Sequence, residues 1–507
     1  MKAPKKVVDL LRNPLVWALP LQAFLLLSNL DLLDPWADEW FTVNTVPQPL
    51  NQVLSAVAGN VHPPLYFVLL HYWIELPWKL GPLVSMRTMS AVWALVATVV
   101  VYFLWLRREE RPFQSKFLTL WVLSPCLLLL ARMARSYSMQ LTVASLAIYS
   151  APQWAEQPRN WKRFLAYIGS SIALLYTHYL SGLAVAAGVC MLFLMQKRFV
   201  LAAAQVALLA VLYSPWAPIL GSVLWRVNWI DVSPHEGGNV ISDQIVRLAY
   251  LFVSFSFGET FSTVSLLLSA ALTPVVAYAL WRAVKARPTW FPIVLVAGGI
   301  AWIGTSRLEQ FVFMPNQLLF ILPFFLIFIV KQLNPSAFVA LVVLYAGADY
   351  AYFTRSDFLV KPYATPYQEM ADLIRERSSG QNTLLAVDLH GVFEQPLLSR
   401  LSDSVRVILL KDEDSAREVL EAARIRPSGP SVILLWRRTR DISPRNYVTK
   451  LEQELSVGRE VWYREYVAYS LPERLARRLL RGPGQPEFYY RLSEFRRPNS
   501  DASRGPN

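Results

Sequence analysis

The sequence predicts a polytopic α-helical membrane protein with a small α/β domain at its C-terminal end. Of the 507 residues, 54% are hydrophobic and only 17% are charged, whereas an ordinary soluble domain has about 25% charged residues. Residues 1–353 contain 39 of the 85 Lys, Arg, Asp and Glu side chains, and residues 354–507 contain the other 46. We therefore predict a transmembrane domain over 1–353, an α/β domain over 354–480 and a disordered basic tail, rich in Arg, Pro and Gly, over 481–507.

About eleven apolar runs can cross the roughly 30 Å hydrocarbon core of a bilayer as helices, which takes about 20 residues each. The first run follows four cations and has no small-residue cleavage site, so it is predicted to be a retained span. The runs lie near 14–31, 84–106, 115–131, 138–153, 163–178, 181–196, 199–216, 262–281, 290–304, 317–331 and 336–353.

A shorter apolar run at 63–78, interrupted by His71 and Glu75, decides the predicted topology. If it lies flat on the membrane, the segments on the side of the N-terminus contain 17 Lys and Arg and the opposite side contains 7. If it spanned, 13 of those 17 cations would change sides, against the excess of Lys and Arg in cytoplasmic loops. We therefore predict an interfacial helix here, a cytoplasmic N-terminus, and a C-terminal domain on the extracytoplasmic, periplasmic side of the plasma (inner) membrane.

The formal net charge of +13 does not indicate a nucleic-acid partner. It divides into +9 over residues 1–353 and +4 over residues 354–507. Cytoplasmic loops rich in Lys and Arg account for the first value, and the second is unremarkable. We therefore predict membrane lipid, and no nucleic acid, among the partners.

The C-terminal region alternates segments of helix and strand periodicity. A helix is predicted to begin with Thr365 and Gln368 as a capping box and to bury Met370, Leu373 and Ile374 on one face. Strand, helix, strand in this order is typical of a small α/β domain. Strands are predicted at 383–389, 405–410, 431–436 and 461–470, with a helix at 415–425.

Two adjacent carboxylates, Asp38 and Glu39, follow the first span between Trp36 and Trp40. A carboxylate within hydrogen-bond reach of an acceptor hydroxyl or amine can remove its proton as a general base. Solvated loop charges beside interfacial aromatic residues would give the same pattern. Both interpretations stay open for the pair taken alone.

Two arginines, Arg132 and Arg135, lie in a short turn on the side of the membrane where Lys and Arg are otherwise scarce. Arginines at membrane depth are costly, and they usually serve a site or pair with a lipid phosphate. The topology bias does not account for them, so we predict a role in the site.

These segments together resemble the GT-C superfamily of membrane glycosyltransferases, and most of all glycosyltransferase family 39, with its protein O-mannosyltransferases and lipid A aminoarabinose transferases. The resemblance covers most of residues 14–353, and the order and spacing of its short motifs are specific. The motifs are Asp38-Glu39, His62-Pro63-Pro64-Leu65, Ala134-Arg135-Ser136-Tyr137, Thr177-His178-Tyr179 and Ser214-Pro215-Trp216.

One departure concerns the donor phosphate. Many relatives have an Arg-Tyr pair before a late span, where this sequence has Pro315-Asn316-Gln317-Leu318. Arg307, which lies nearby, is the candidate replacement.

The resemblance implies an inverting enzyme that takes its sugar from a polyprenyl phosphate and gives it to an extracytoplasmic lipid, glycan or protein. By position Asp38 is the catalytic carboxylate, and Glu39 orients a neighbour. Fixed cations best stabilise the departing phosphate, and other polar and aromatic groups are predicted to line the cavity. The phosphate residues are Arg135, Arg132, His62 and Arg307, and the cavity residues are Tyr137, His178, Tyr179 and Trp40.

Two further expectations concern metal and function class. A divalent metal is compatible with two carboxylates but is not predicted to be obligatory, since no cluster of oxygen ligands is visible. The alternative function is a lipid or solute transporter without glycosyl transfer. Transporters place ionisable groups at the bilayer midplane and often contain internal repeats, whereas here the ionisable groups lie at loop ends and no repeat is evident.

Overall fold

The computed structural model describes most of the chain with side chains. The residues described are 13–60, 62–77, 79–226, 240–260, 263–286, 290–306, 314–356, 358–379, 382–388, 394–401, 405–424, 430–438, 446–468, 474–475, 478 and 488–496.

The described residues up to Ser356 are mainly helical. Each of the predicted apolar runs contains a helix. The helices are α1 Leu15–Leu27, α2 Ala37–Thr45, α3 Leu50–Ala58, α4 Leu65–Ile74, α5 Pro82–Val101 (continued by a π-helical turn, Tyr102–Leu106), α6 Arg111–Val122, α7 Pro125–Ala131, α8 Tyr137–Glu156, α9 Trp161–Thr177, α10 Tyr179–Met195, α11 Phe199–Tyr213, α12 Ala217–Arg226, α13 Val240–Phe257, α14 Thr263–Ala286, α15 Phe291–Ser306, α16 Met314–Leu318 (followed by the 3₁₀ turn Leu319–Ile321), α17 Leu322–Gln332 and α18 Pro335–Phe353.

Fewer helices than predicted satisfy the length and hydropathy requirements of a span. Within the described residues, Pro82–Leu106, Pro315–Gln332 and Pro335–Phe353 do so alone, and α6 with α7, bent by 51°, forms either a broken span or a re-entrant loop. Other apolar helices have 10 to 17 residues. The predicted count of eleven spans is therefore not confirmed. The predicted apolar helical character of this region is confirmed.

The length of helix α4 bears on the predicted topology. Helix α4 has 10 residues, or about 15 Å at 1.5 Å per residue, which is half the thickness of the hydrocarbon core. That length fits an interfacial helix and not a span.

Helix α13 is absent from the predicted runs because Asp243, Gln244 and Arg247 interrupt its apolar pattern, although Arg247 is buried.

The chain divides into two compact units. The first comprises Met1–Leu32 and Phe41–Ser356, and the second comprises Leu33–Trp40 and Asp357–Asn507. The segment that contains Asp38 and Glu39 therefore belongs to the C-terminal unit, although we predicted it as a loop of the membrane domain.

The C-terminal unit is built on a five-stranded mixed sheet in the order β2-β1-β3-β5-β4. Strand β1 pairs in parallel with β2 and β3, and β5 pairs antiparallel with β3 and β4. Helix α19 packs against one face, and helices α21 and α22 pack against the other. The elements are a 3₁₀ turn Lys361–Ala364, α19 Tyr367–Ser378, β1 Thr383–Asp388, α20 Gln395–Leu398, β2 Arg406–Leu410, α21 Glu413–Ala423, β3 Val432–Arg438, α22 Asn446–Ser456, β4 Glu460–Ala468 and β5 Phe488–Arg496.

Strand β5 corrects the prediction of a disordered tail from residue 481. Its side chains alternate, so that Tyr490 and Leu492 are buried while Arg491 lies on the other face. The ring of Tyr490 stacks on that of Trp436 from β3, with 4.8 Å between centroids. The arginines and the flanking Gly and Pro hid this period-2 pattern in the sequence.

Helix α19 forms where predicted and buries Met370, Leu373 and Ile374, but the predicted capping box is wrong. The Thr365 hydroxyl donates to the Lys361 carbonyl oxygen. The backbone N–H of Gln368 donates instead to Asp34 Oδ2, at 2.9 Å. A carboxylate from a distant part of the chain therefore caps the helix, and local sequence could not reveal it.

Candidate functional site

The turn between α7 and α8 brings a buried cation, Arg135, into contact with two other segments of the membrane unit. Arg135 is 5% exposed. Its Nη2 donates to His62 Nε2 at 3.1 Å, and its Nη1 donates to Thr42 Oγ1 at 3.3 Å. Because a guanidinium stays charged at any accessible pH, this contact places a permanent positive charge beside His62 and Thr42.

His62 presents a neutral ring to that charge. Burial holds its pKa well below the ordinary value, and the charge of Arg135 and then His178 lower it further. The ring lies parallel to that of Phe67, with 5.7 Å between centroids, and beside Phe41. A neutral imidazole can accept the guanidinium hydrogen bond, so His62 orients Arg135 without adding a second cation.

Two more of the motif segments meet at the same place. The Tyr179 hydroxyl donates to the His62 carbonyl oxygen at 3.1 Å, and Trp216 Nε1 donates to the Tyr179 oxygen at 2.7 Å. Tyr137 lies beside Arg135, with 6.0 Å from the guanidinium carbon to the ring centroid. Segments that are up to 154 positions apart in the sequence, from His62 to Trp216, thus form one polar cluster.

Behind this cluster lies a hydrogen-bond network in which His178 was a predicted cavity residue, whereas the roles of Ser181 and Gln140 were missed. The helical conformation is interrupted at His178, between α9 and α10. The Nδ1 atom of His178 lies 3.0 Å from Ser181 Oγ. Ser181 Oγ and Gln140 Nε2 both donate to the Gln317 carbonyl oxygen, at 3.2 and 2.9 Å. These residues fix the turn at His178, and single polar residues inside apolar helices were the only sequence signal for them.

Asn316, from the segment that departs from the family pattern, belongs to the same region. Its side chain is fully buried, and its Nδ2 donates to the Tyr137 hydroxyl at 3.2 Å. Within the described residues its Oδ1 has no hydrogen-bond partner. Arg307, the predicted replacement for the missing arginine, lies outside the described residues, so its role stays a prediction.

Arg132 is used differently from Arg135. Its Nη1 donates to the Leu25 carbonyl oxygen at 2.6 Å, its Nη2 to the Asn29 carbonyl oxygen at 2.7 Å, and its Nε to the Tyr352 hydroxyl at 3.1 Å. Carbonyl groups at the C-terminal end of a helix carry partial negative charge and need donors. Nη1 and Nη2 thus hold the end of α1 and Nε binds a tyrosine of α18. These contacts indicate a role in capping α1, and the phosphate contact of Arg132 stays a prediction.

We expect Arg132→Gln to destabilise the protein by about 2–3 kcal/mol, because charged hydrogen bonds to the end of α1 would be lost. The thermal unfolding midpoint in detergent measures this, with the exposed Arg108 changed to Gln as the control. Unchanged thermal stability of Arg132→Gln together with weaker lipid-phosphate binding would show that Arg132 acts in phosphate binding and not in capping α1.

The predicted catalytic pair lies in the first turn of α2. Glu39 is 1% exposed, whereas Asp38 is partly exposed. Trp40 lies against Arg400 of the same unit, with 4.7 Å from the guanidinium carbon to the ring centroid. Asp38 therefore presents more surface than Glu39, and the roles of the two carboxylates stay predictions.

The metal prediction remains a prediction. Among the residues that the structure describes, no group of three or more His, Cys, Asp or Glu side chains is arranged to hold a metal ion.

No protein-family model matches the sequence, and no curated protein matches it either. Among solved structures, ArnT from Cupriavidus metallidurans in the apo state is similar over 96% of this chain and 98% of its own, with a TM-score of 0.50 and 12% sequence identity. ArnT from the same organism bound to undecaprenyl phosphate is similar over 97% and 98% of the two chains, with a TM-score of 0.51 and 12% identity.

This likeness concerns the fold. It extends over nearly the whole length of both chains, so it includes the helical unit and the C-terminal α/β unit. The predicted GT-C-like fold is confirmed in this sense.

Proposed function

We propose that the protein is an inverting glycosyltransferase that moves a sugar from a polyprenyl phosphate to an extracytoplasmic acceptor. The main support for this proposal is the buried Arg135, which His62 orients and which segments of the membrane unit enclose. Undecaprenyl phosphate bound to a protein of the same fold supports a lipid phosphate as its partner.

Phosphate departure is the step that needs the cation. The bond between the anomeric carbon and the phosphate oxygen breaks, and its electron pair stays on the phosphate. A fixed guanidinium offers two parallel N–H donors to that developing charge. The hydrogen bonds of Arg135 to His62 and Thr42 hold it in place before the lipid arrives, so little reorganisation is needed.

The acceptor must lose a proton as it attacks the anomeric carbon. In the proposed mechanism the carboxylate of Asp38 takes this proton as general base, and Glu39, which is buried, holds the segment in place. Attack from the face opposite the phosphate inverts the anomeric configuration. Lipid, glycan and protein acceptors all supply the required hydroxyl or amine.

A binding measurement tests the phosphate site without a sugar or an acceptor. We expect the purified protein to bind undecaprenyl phosphate and to bind undecaprenol, which has the same chain without the phosphate, much more weakly. Equal binding of the two lipids would show that the chain alone is recognised and would contradict an anion site at Arg135.

The proposed reaction requires the C-terminal unit to face away from the cytoplasm. In a background with Cys126→Ser and Cys190→Ser, we expect Arg417→Cys to react with an impermeant thiol reagent in intact cells, because Arg417 has a largely exposed side chain. Arg108→Cys, also exposed, should react only after lysis. The reverse pattern would invert the predicted topology.

A further inference from the structure

The segment Leu33–Trp40 is held by the C-terminal unit at points on both sides of Asp38 and Glu39. Before the pair, the ring of Trp36 packs edge-on against that of Tyr363, with 4.9 Å between centroids and 78° between planes. Trp36 is only 2% exposed. A large aromatic side chain buried in this way fixes the backbone two residues before Asp38.

Asp34 provides a second anchor. Its Oδ2 accepts the backbone N–H of Gln368 in the first turn of α19, at 2.9 Å. Its Oδ1 lies 3.5 Å from Arg400 Nη2. A carboxylate at a helix N-terminus is favoured by the helix dipole as well as by the hydrogen bond, so this contact joins the segment to a rigid element.

Arg400 connects the two ends of the segment. The guanidinium reaches Asp34 on one side and lies over the ring of Trp40 on the other, 4.7 Å from its centroid. Its Nε donates to Gln368 Oε1 at 3.1 Å, and its Nη1 donates to the Pro396 carbonyl oxygen. One side chain, itself fixed by α19 and α20, therefore contacts residues on both sides of Asp38 and Glu39.

We propose that Arg400 is a positioning residue through which the C-terminal α/β unit sets the catalytic segment, so that this unit is part of the catalytic apparatus. The inference rests on the proposed transfer reaction. Misplacement of a reacting group by about 1 Å can lower a rate by about a hundredfold. Loosening the segment at Asp34 and Trp40 should therefore act on turnover and leave the lipid-phosphate site at Arg135 unaffected.

The same unit supplies a matched control. Arg437 forms an ion pair with Glu452 whose side chains are 15% and 20% exposed, against 13% and 20% for Arg400 and Asp34. Arg437 lies on β3 and Glu452 on α22. Arg437→Ala thus removes an equally buried ion pair of the sheet unit without touching the Leu33–Trp40 segment.

The experiment uses the full-length protein and has two independent arms. Amide hydrogen exchange should become faster over residues 33–45 in Arg400→Ala and stay unchanged there in Arg437→Ala. In the activity arm, kcat of Arg400→Ala should fall roughly ten- to a hundredfold, while the affinity for undecaprenyl phosphate is retained. Arg400→Lys keeps a cation for Asp34 and Trp40, and it should restore part of kcat.

A double substitution checks that Arg400 acts through Asp34. Because the two residues are in contact, Asp34→Ala combined with Arg400→Ala should lose little more kcat than the more damaging single change. If the kcat losses of the two single changes multiply in the double variant, Arg400 does not act through Asp34. An equal kcat loss in Arg437→Ala, or unchanged exchange over residues 33–45 in Arg400→Ala, would also overturn the positioning role.

The two proposals fail in different ways. A wild-type protein that forms no glycoside refutes the transfer reaction whatever the exchange data show. A wild type that transfers sugar while Arg400→Ala keeps its full kcat refutes only the positioning role.

Discussion

Asp38→Asn should leave the protein folded and able to bind undecaprenyl phosphate, but lower its turnover by about a hundredfold or more. Asparagine keeps the size of aspartate and most of its hydrogen bonds, yet it cannot accept the acceptor proton. General bases contribute about 10² to 10⁴ in rate. Glycoside formation and lipid-phosphate binding, measured side by side on the wild type and the variant, check this expectation.

Glu39→Gln is the matched control for that change. It removes the neighbouring charge in the same helical turn. Because Glu39 is buried and its proposed role is to orient the segment, its effect on turnover should be smaller than that of Asp38→Asn. Wild-type turnover in Asp38→Asn would remove Asp38 from the mechanism. A larger loss in Glu39→Gln than in Asp38→Asn would exchange the two roles.

Arg135→Ala should weaken lipid-phosphate binding and lower kcat/KM by roughly a hundredfold or more, because a fixed donor to developing charge is worth about 10² to 10³ in rate. Arg135→Lys should recover only part of this, since an ammonium is a point charge and cannot make the bidentate contact of a guanidinium. Lipid binding and steady-state kinetics on both variants measure the two effects separately.

His62→Gln is the control, because an amide oxygen can still accept from Arg135. It should cost much less than Arg135→Ala. Normal lipid affinity and normal turnover in Arg135→Ala, with a lower unfolding midpoint, would show that Arg135 has a structural role only.

The order of the motifs predicted more of the site than their individual residues did. His62, Arg135, Tyr179 and Trp216 were each weak signals, yet the membrane unit brings them into contact. The two arginines could not be distinguished in the sequence, where they lie three residues apart. Only the carbonyl groups at the end of α1 assign Arg132 to helix capping.

What the sequence could not predict depends on contacts between distant parts of the chain. The cap of α19 comes from Asp34, which is 334 positions away from Gln368, and no local pattern encodes it. Strand β5 is detectable only through its partners β3 and β4, since arginines interrupt its apolar side chains. The predicted number of spans is not confirmed by the described helices either, because apolar composition alone does not fix helix length.

A transfer assay tests whether the protein forms a glycoside from a polyprenyl-phosphate sugar. Purified protein is incubated with a panel of labelled polyprenyl-phosphate sugars and an envelope extract, and both the released polyprenyl phosphate and the labelled glycoside are quantified. We expect equimolar appearance of the two with one donor, inverted configuration at the anomeric carbon, and loss of both products in Asp38→Asn. Movement of an intact donor across the membrane, with neither product formed by the wild type, would rule out the transfer reaction and identify a transporter.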